Sequence, residues 1–506
     1  MRIGLRVVLI CYNSHVKKDI AVYWARRDLR INDNPALCAA VNYANNNKIK
    51  FLPLFVLEDY MLEADPRSQF GYPSRVFLSR AVPNFLKNFK HFTLVMGKAA
   101  RTIISMMEEY NVTLFVNEDV YVDFYTQIKK IRAAGVDVKL FSDALTVSKE
   151  TKTGTGNIYS VFTPFKKSVW ESFCTATVLP APNLDKVEYA TEPIKKLKYI
   201  EAKKETIWGL FSKNREIVIG GKHINIDSLI DVAPDYSEWY FSEEQACEAF
   251  DKYIKTGMSD YKNTRDALDQ DGTSRMSLGL AWGLVSSRML RLKIQKYFNK
   301  DFLDIFNTSL DQGAVHYLSE LIWREFYKYL MYHYPELMNL EFQEKFRGRI
   351  EWADDATAQD RFFKWVRGET GYPVVDAAMM QLAQTGYMHN RARMIVASVL
   401  TKNFGVDWRW GQEYFRAMLI DLDEASNNGG WQWGASVGAD PKPIRIFNPY
   451  LQAQNYDKKE LYQKKYLRSD YKDNPPKIII EHKDARVSAL RRYGLDDVNH
   501  SSVRDY

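Results

Sequence analysis

The chain predicts an α/β domain with a parallel sheet, joined by a long linker to a domain that is helical throughout. Three observations predict it. Short apolar runs alternate with helical stretches from Ile20 to Phe141, a lysine- and proline-rich mosaic follows from Pro180 to about Ser237, and after Glu243 apolar residues recur at helical spacing. The boundaries read as an N-terminal extension over 1–19, the α/β domain over 20–150, the linker over 151–242 and the helical domain over 243–506. A chain of 506 residues suits two or three domains, and 46% hydrophobic with 26% charged residues excludes a disordered or fibrous protein. The formal charge of +7 favours a polyanionic partner without saying where the charge lies. Cys11, Cys38, Cys174 and Cys247 are scattered and form no CxxC pair, which fits a reducing compartment and argues against a cysteine-ligated zinc or iron–sulfur site. No metal is expected. No apolar run reaches transmembrane length, so no membrane partner is expected. The start, Met1 to Tyr12, reads as an extra strand or loose extension rather than a cleaved signal, so the protein is not expected to be secreted.

Within the first domain, strands are expected at Ile20–Trp24, Lys50–Leu57, Phe92–Met96, Val112–Val116 and Val136–Phe141. Pro53 argues against interior pairing of the second strand. Asn34-Pro35 is a helix start, a capping side chain followed by a residue that needs no N–H. Further helices are expected over Tyr72–Leu86, Lys98–Glu109 and Tyr121–Ala134. The pattern is Rossmann-like, yet no GxGxxG turn follows the first strand, so a dinucleotide held in the usual way is not expected there. The first loop, Trp24-Ala-Arg-Arg-Asp-Leu-Arg30, suggests a structural Asp28–Arg30 salt bridge. Asn117-Glu118-Asp119 falls at a strand end, where open α/β sheets place ligands, though such a loop is more often plain solvated surface. Gly154–Gly156 and the segment to Phe165 mark a change of texture, and the mosaic that follows is too long to be structureless, so it should pack across the first domain.

In the helical half, Tyr261 precedes Asn263-Thr-Arg-Asp266. Asp271-Gly-Thr-Ser-Arg-Met-Ser277 then leads into an apolar helix through Leu290. Hydroxyls at Thr273, Ser274 and Ser277 with the Arg275 guanidinium, at a helix start, suit either a cap or an anion. Glu320, Trp323, Arg324 and Tyr327 share one helical face where a plain amphipathic helix would carry leucines. Tyr387, Asn390, Arg391 and Met394 form a mixed stripe, and His389 reads as a hydrogen-bonded structural residue. In Asp421-Leu-Asp-Glu-Ala-Ser-Asn-Asn-Gly-Gly-Trp-Gln-Trp433, carboxylates, carboxamides, two glycines and two indoles crowd thirteen positions. Buried together, they would need the donors and acceptors of a heteroaromatic ligand, with Gly429-Gly430 allowing a tight turn or close approach. A polar turn between helices is the simpler alternative.

That last block, followed by Arg445-Ile-Phe-Asn-Pro449, resembles the flavin-binding core of the DNA photolyase/cryptochrome family, and most closely the class I enzymes that repair cyclobutane pyrimidine dimers. The likeness runs from about Tyr23 to the end and is strongest from Tyr261 to Pro449. Arg26, Asp28, Leu29 and Arg30 match the family's antenna-domain signature, and Tyr159 to Phe165 matches its Tyr-x-Val-Phe-Thr-Pro-Phe segment. The resemblance implies FAD in the helical domain, held by Tyr261, Thr273, Ser274, Arg275, Met276, Ser277, Glu320, Arg324, Asn390, Arg393, Asp421, Asp423, Asn427 and Asn428. It assigns Asn427 to flavin N5, and Glu320, Trp323 and Met394 to the damaged bases. Tyr387, Trp433 and Arg445 join Trp323 and Met394 on the DNA side. Trp431, Trp408 and Trp352 resemble the proximal, middle and distal members of an electron chain. Thirteen positions separate Trp352 from Trp365, longer than the family spacing. Tyr317 and Tyr387 stand where the family usually has tryptophan. A second antenna chromophore (methenyltetrahydrofolate, a deazaflavin or FMN) is implied by the fold, with Asn117 and Glu118 at a folate-contacting position.

The function these implications describe is light-driven repair of cyclobutane pyrimidine dimers by electron transfer from reduced FAD. The partner would be DNA carrying such dimers, the protein monomeric, and its place cytoplasmic in a prokaryote or nuclear or organellar in a eukaryote. A cryptochrome-like photoreceptor would use the same flavin site to signal. Repair of (6-4) photoproducts would call for a histidine pair where His389-Asn390 stands, and a non-catalytic nucleic-acid-binding protein would carry no flavin. The ending after Asp457 resembles that of a repair enzyme rather than a signalling extension.

Overall fold

A computed structural model of the chain describes residues 17–62, 71–211, 216–219, 222–230, 232–304, 307, 309–353, 355–440 and 444–495. The strand expected near the start of the chain lies outside them. Five parallel strands form the sheet: β1 (Lys18–Ala25), β2 (Lys50–Leu57), β3 (Thr93–Met96), β4 (Tyr110–Asn117) and β5 (Asp137–Phe141). A short β6 (Lys198–Tyr199), contributed by the linker, adds antiparallel to β3 and gives the order β5-β4-β1-β2-β3-β6. β1 begins before Ile20 because the exposed Lys18 and Asp19 still pair with Tyr110 and Asn111. The apolar runs are continuous because helices cover both faces, leaving β2 buried from Phe51 to Leu57. No helix among the described residues is long and apolar enough to cross a membrane.

β2 is an interior strand despite Pro53, and the register explains how. Phe51 exchanges hydrogen bonds with Glu188 and Ala190 of the linker on the side that β3 later occupies, and β3 pairing starts only at Leu54. Alternation along the strand turns Pro53 toward that same side, in the gap between the two partners, where a missing N–H costs nothing. The linker therefore packs across the first domain, as its length required. Asn34 caps the helix Pro35–Asn47, accepting from the Leu37 N–H at 3.1 Å.

Two expectations are corrected. Asp28 does not pair with Arg30: its carboxylate accepts from Tyr23 Oη at 2.8 Å, the Arg26 N–H at 2.7 Å and Asn117 Nδ2 at 2.6 Å. Arg30 instead reaches Asp143 at 2.5 Å. The helix expected through Leu290 breaks into Ser277–Trp282 and Ser287–Phe298. Gly283 sits at the break with φ 67°, and a Cβ there would lie 2.1 Å from the Arg27 carbonyl oxygen. The first domain's opening loop docks into this gap, with Leu29 N–H donating to the Trp282 carbonyl.

Four buried charges complete the joint. Arg288 bonds Asp33 at 2.8 Å and Asp143 at 2.6 Å, while Arg30 holds Asp143 and the Asp33 carbonyl. Burial alone would raise the Asp143 carboxyl, but Arg30 and Arg288 hold it below its ordinary value. Its contribution is complete above the unfolded aspartate value of about 3.9 and is lost as pH falls from there through the lower folded value. Arg288→Met should cost about 3–5 kcal/mol at neutral pH, because Asp33 is left buried without its cation. Urea unfolding of the two proteins checks this, and the difference should shrink as the buffer is taken below about pH 3.9.

Candidate functional site

The long helix Gln312–His333, capped by Asp311, is the wall on which the site is assembled. Tyr317 on this helix shares a 2.8 Å hydrogen bond with Ser274 Oγ, bringing the hydroxyl-rich segment against it. In that segment Arg275 adopts φ 53°, a strained conformation for a residue with a side chain. Tyr240 stabilises it, its hydroxyl donating to the Arg275 carbonyl at 2.9 Å and accepting from the Gly279 N–H at 3.1 Å. The Arg275 guanidinium turns to Asp271 and Glu238, at 3.1 and 3.4 Å. Thr273 and Ser274 are half-buried, Ser277 is exposed, and Met276 packs into the core. The segment thus offers hydroxyls toward the interior and a paired guanidinium at the rim.

Along the same helix, Glu320 is ion-paired with Arg265, a partner the sequence did not single out beyond its place after Tyr261. Arg265 also lies over the ring of buried Tyr261, which meets Tyr317 edge-on at 5.2 Å. Trp323, half-buried, stacks face to face on Phe162 with centroids 3.6 Å apart and planes 9° from parallel. Arg324, expected at the flavin, points to the domain joint: it donates to the Leu280 carbonyl at 3.2 Å and lies 3.7 Å from Asp423. Glu320, Trp323 and Arg324 therefore do not converge on one point, although helical spacing puts them on one broad face.

The stretch Asp421–Trp433 is neither a turn nor a loop but mostly the helix Glu424–Gly434, with Asp423 as its cap accepting from the Ser426 N–H at 3.0 Å. Burial would raise the Asp423 carboxyl, yet Lys328, Arg324 and that N–H hold it low and ionised. Asp421 pairs with Arg393 at 2.8 and 3.0 Å, and Arg393 lies over Tyr387, whose buried hydroxyl has Thr273 in its neighbourhood. Asn428 is fully used by the protein, donating to the Leu337 carbonyl and Gln412 Oε1 and accepting from Gln432. Asn427 is not: Nδ2 donates to the Gln412 carbonyl at 3.2 Å, while Oδ1 is buried with no hydrogen-bond partner. One turn on, Gly430 is exposed and a Cβ there would meet nothing within 4 Å. Gly429 serves differently, since a Cβ would strike the Tyr327 ring at 2.1 Å. At the far end of this helix the Gly434 carbonyl accepts from Lys402, a buried ammonium in the π-helical turn Val399–Asn403 that burial pushes down to about 7. Nothing in the pattern around Lys402 marked it beforehand.

Tyr387 does not share a helical stripe with Asn390 and Met394. Gly386, at φ 67°, ends the preceding helix, and the next one starts at Asn390 with His389 as its cap. His389 Nδ1 accepts from the Arg391 N–H, and burial pushes the imidazole down to about 4, a structural role as expected. Arg391 leaves the stripe for Asp266 at 2.9 Å. Asn390 is exposed beside half-buried Met394, 3.8 Å from its sulfur. Trp433 is half-exposed under Arg445, which Asp440 holds at 2.9 Å. At the expected antenna position, Asn117 is tied to Asp28 and Asn34, Glu118 to Lys149 and Asp119 to Arg26.

Among the indoles, Trp431 and Trp408 are buried, and the Ala353 N–H bonds the Gly405 carbonyl, which sets Trp352 beside the segment leading into Trp408. Trp431 also meets Trp365 edge-on at 6.1 Å and Phe415 at 5.0 Å, contacts the sequence did not indicate.

Residues 21–183 match the family model described as DNA photolyase, and residues 317–503 match the FAD binding domain of DNA photolyase. The deoxyribodipyrimidine photo-lyase of Vibrio cholerae is 31% identical, over 93% of this chain and 98% of that protein. The chain belongs to the DNA photolyase family. A second photo-lyase of this photolyase family, from Alkalihalophilus pseudofirmus, is 31% identical with 95% of each chain covered. Among solved structures, the class III photolyase of Agrobacterium tumefaciens superposes with a TM-score of 0.77 at 27% identity, covering 97% of this chain and all of that one. A Synechocystis cryptochrome shares the fold, with a TM-score of 0.75 at 22% identity over 95% of this chain and 94% of its own. The photolyase fold is thus common to several branches.

The residues present fit FAD. Asn427 carries an orphaned buried acceptor beside the open flank of Gly430, and hydroxyls at Thr273 and Ser274 face the same interior as the Arg393–Asp421 pair. Asn427→Asp would place a carboxylate beside the Gln412 carbonyl; bound flavin should be retained, with a lower yield of fully reduced flavin under light and thiol, read by absorbance. Trp431→Phe keeps the packing but raises the oxidation barrier. Photoreduction should fall sharply while repair by chemically pre-reduced protein survives, and photoreduction unchanged by Trp352→Phe would move the outlet away from that residue.

Proposed function

We propose that the protein is a light-driven deoxyribodipyrimidine photo-lyase of the class I type, repairing cyclobutane pyrimidine dimers in DNA. The observation that carries the reading is the wall formed by half-buried Trp323 and the Arg265-paired Glu320, next to the Tyr261–Tyr317–Ser274 cluster. FAD, when bound, supplies the light-driven electron that splits the dimer. Trp323 offers an indole surface to a pyrimidine pair turned out of the helix, whose disrupted pairing lowers the cost of extrusion. Glu320, already matched to a guanidinium, is an acceptor and takes an N–H of the damaged base. Met394 fills the irregular space against the saturated ring. Asn427, whose side-chain oxygen is buried without a partner, would accept a hydrogen bond from the flavin. Trp433 and Arg445 form a stacked, half-exposed rim that grips the strand without reading sequence. The class reading comes from Glu320, Trp323 and Met394, because the fold alone is shared with a class III enzyme.

A second chromophore would lie in the polar cleft between the two halves, lined by Arg26, Asn117, Glu118, Asp119, Arg324 and Lys328. Acid extraction followed by absorbance distinguishes folate, deazaflavin and FMN. The enzyme works as a monomer on damaged DNA, in the cytoplasm of a prokaryote or the nucleus or an organelle of a eukaryote.

The test is illumination of the reduced protein with oligonucleotides carrying one cyclobutane dimer or one (6-4) product. Repair of the first alone is expected. Flavin-loaded protein that neither prefers nor repairs the dimer would replace the reading with a photoreceptor. Trp323→Ala should weaken binding to dimer-containing DNA by about 1–3 kcal/mol per stacked base with a much smaller loss on undamaged DNA. Fluorescence titration on matched oligonucleotides measures both.

A further inference from the structure

We infer that Phe162, from the segment joining the two halves, is a positioning residue for damage recognition: it backs the Trp323 indole and leaves a single face for the lesion. This rests on the reading of Trp323 as the stacking platform. The two rings lie 3.6 Å apart at 9°, a full overlap, whereas aromatic pairs generally settle into offset or edge-on arrangements at 4.5–7 Å. One face of the indole is therefore covered by protein. Phe162 is buried and covers that face, so what remains accessible of the half-buried indole lies on its other face and its edge. Phe326 stands edge-on at 5.9 Å and Tyr327 is tilted at 5.5 Å, which further restrict the ring without stacking on it.

Phe162 is itself held firmly. It is the first residue of the helix Phe162–Thr175, which Phe165 anchors against Phe326 and Tyr329 at 5.2 and 4.9 Å. Lys166, one turn along, places its ammonium 5.7 Å over the Phe162 ring and 3.5 Å from Ser319 Oγ, four residues before Trp323 on the wall helix. The lysine also lies in the field of Glu320. The stack of ammonium, phenyl and indole thus ties the linker to the recognition wall and fixes the indole before DNA arrives. A fixed platform loses less side-chain freedom on binding, which favours the one ligand that stacks on it.

The experiment is a titration of flavin-loaded protein in the dark, with matched oligonucleotides with and without one dimer, read as the ratio of the two affinities. Phe162→Leu should lower that ratio roughly threefold to tenfold, the range of a stacked aromatic pair. Phe162→Tyr, which keeps the flat ring, should restore it. Val169→Ala, two turns along the same helix and buried in the core, should leave the ratio unchanged. If leucine fails to fold at 162, Phe162→Met carries the same expectation. An unchanged ratio for Phe162→Leu alongside a lowered one for Trp323→Ala overturns this inference alone. An unchanged ratio for Trp323→Ala overturns the platform reading and this inference with it.

Discussion

Four buried charges at the joint between the two halves fix where everything else can lie. Arg288 of the helical half binds Asp33 and Asp143 of the α/β half, and Arg30 crosses back to the Gly283 carbonyl. Charges withdrawn from water are tolerated only when their geometry is well matched, so this network permits one docking orientation and penalises others. The consequences run outward from there. With the opening loop seated at Gly283, the helix after the hydroxyl-rich segment must end at Trp282, and Ser274 is left where Tyr317 can reach it. The same docking leaves Arg324 and Lys328 facing Asp423, which keeps that cap ionised and the flavin-block helix in register.

The site itself separates groups that support from groups that are free to act. Asn428, Gln432 and Gln412 spend their amides on one another and on the Leu337 carbonyl, so they form a brace between two helices and the turn at Leu337. Asn427, one position away and rotated by a helical step, keeps its oxygen unpaired. A buried acceptor without a donor is costly, and the cost is removed when a ligand supplies the donor. Glu320 and Trp323 show the same division on the wall helix. Arg265 and Phe162 each occupy one side of their neighbour, and the remaining side is the one that, in the proposed function, a damaged base would meet.

Much of the first domain was legible because its physics is local. A cap at Asn34, a proline at the first helical turn and continuous apolar runs each act within a few residues, and strands and helices fall close to where these signals place them. In the helical half the sequence motifs identified Asp421–Trp433 and Thr273–Ser277 as unusual, since their composition is wrong for both core and surface. Their conformations were less legible. A glycine pair that suggests a turn is helical here because Asp423 caps the helix and the Tyr327 ring needs the space at Gly429.

By itself, then, the sequence determined the fold class, the alternation that makes a parallel sheet, the helical second half and the blocks, Thr273–Ser277 and Asp421–Trp433, whose composition is unusual for core or surface. Tertiary structure decided the partners. Asp28 and Arg30, two positions apart, bind different groups because burial places Tyr23 and Asn117 beside one and Asp143 beside the other. Arg265 meets Glu320, Phe162 meets Trp323, and Lys402 meets the Gly434 carbonyl across separations that no periodicity encodes. Periodicity reports which side of an element is buried; which group waits on that side depends on how distant segments dock, and here the buried charges at the joint set that docking.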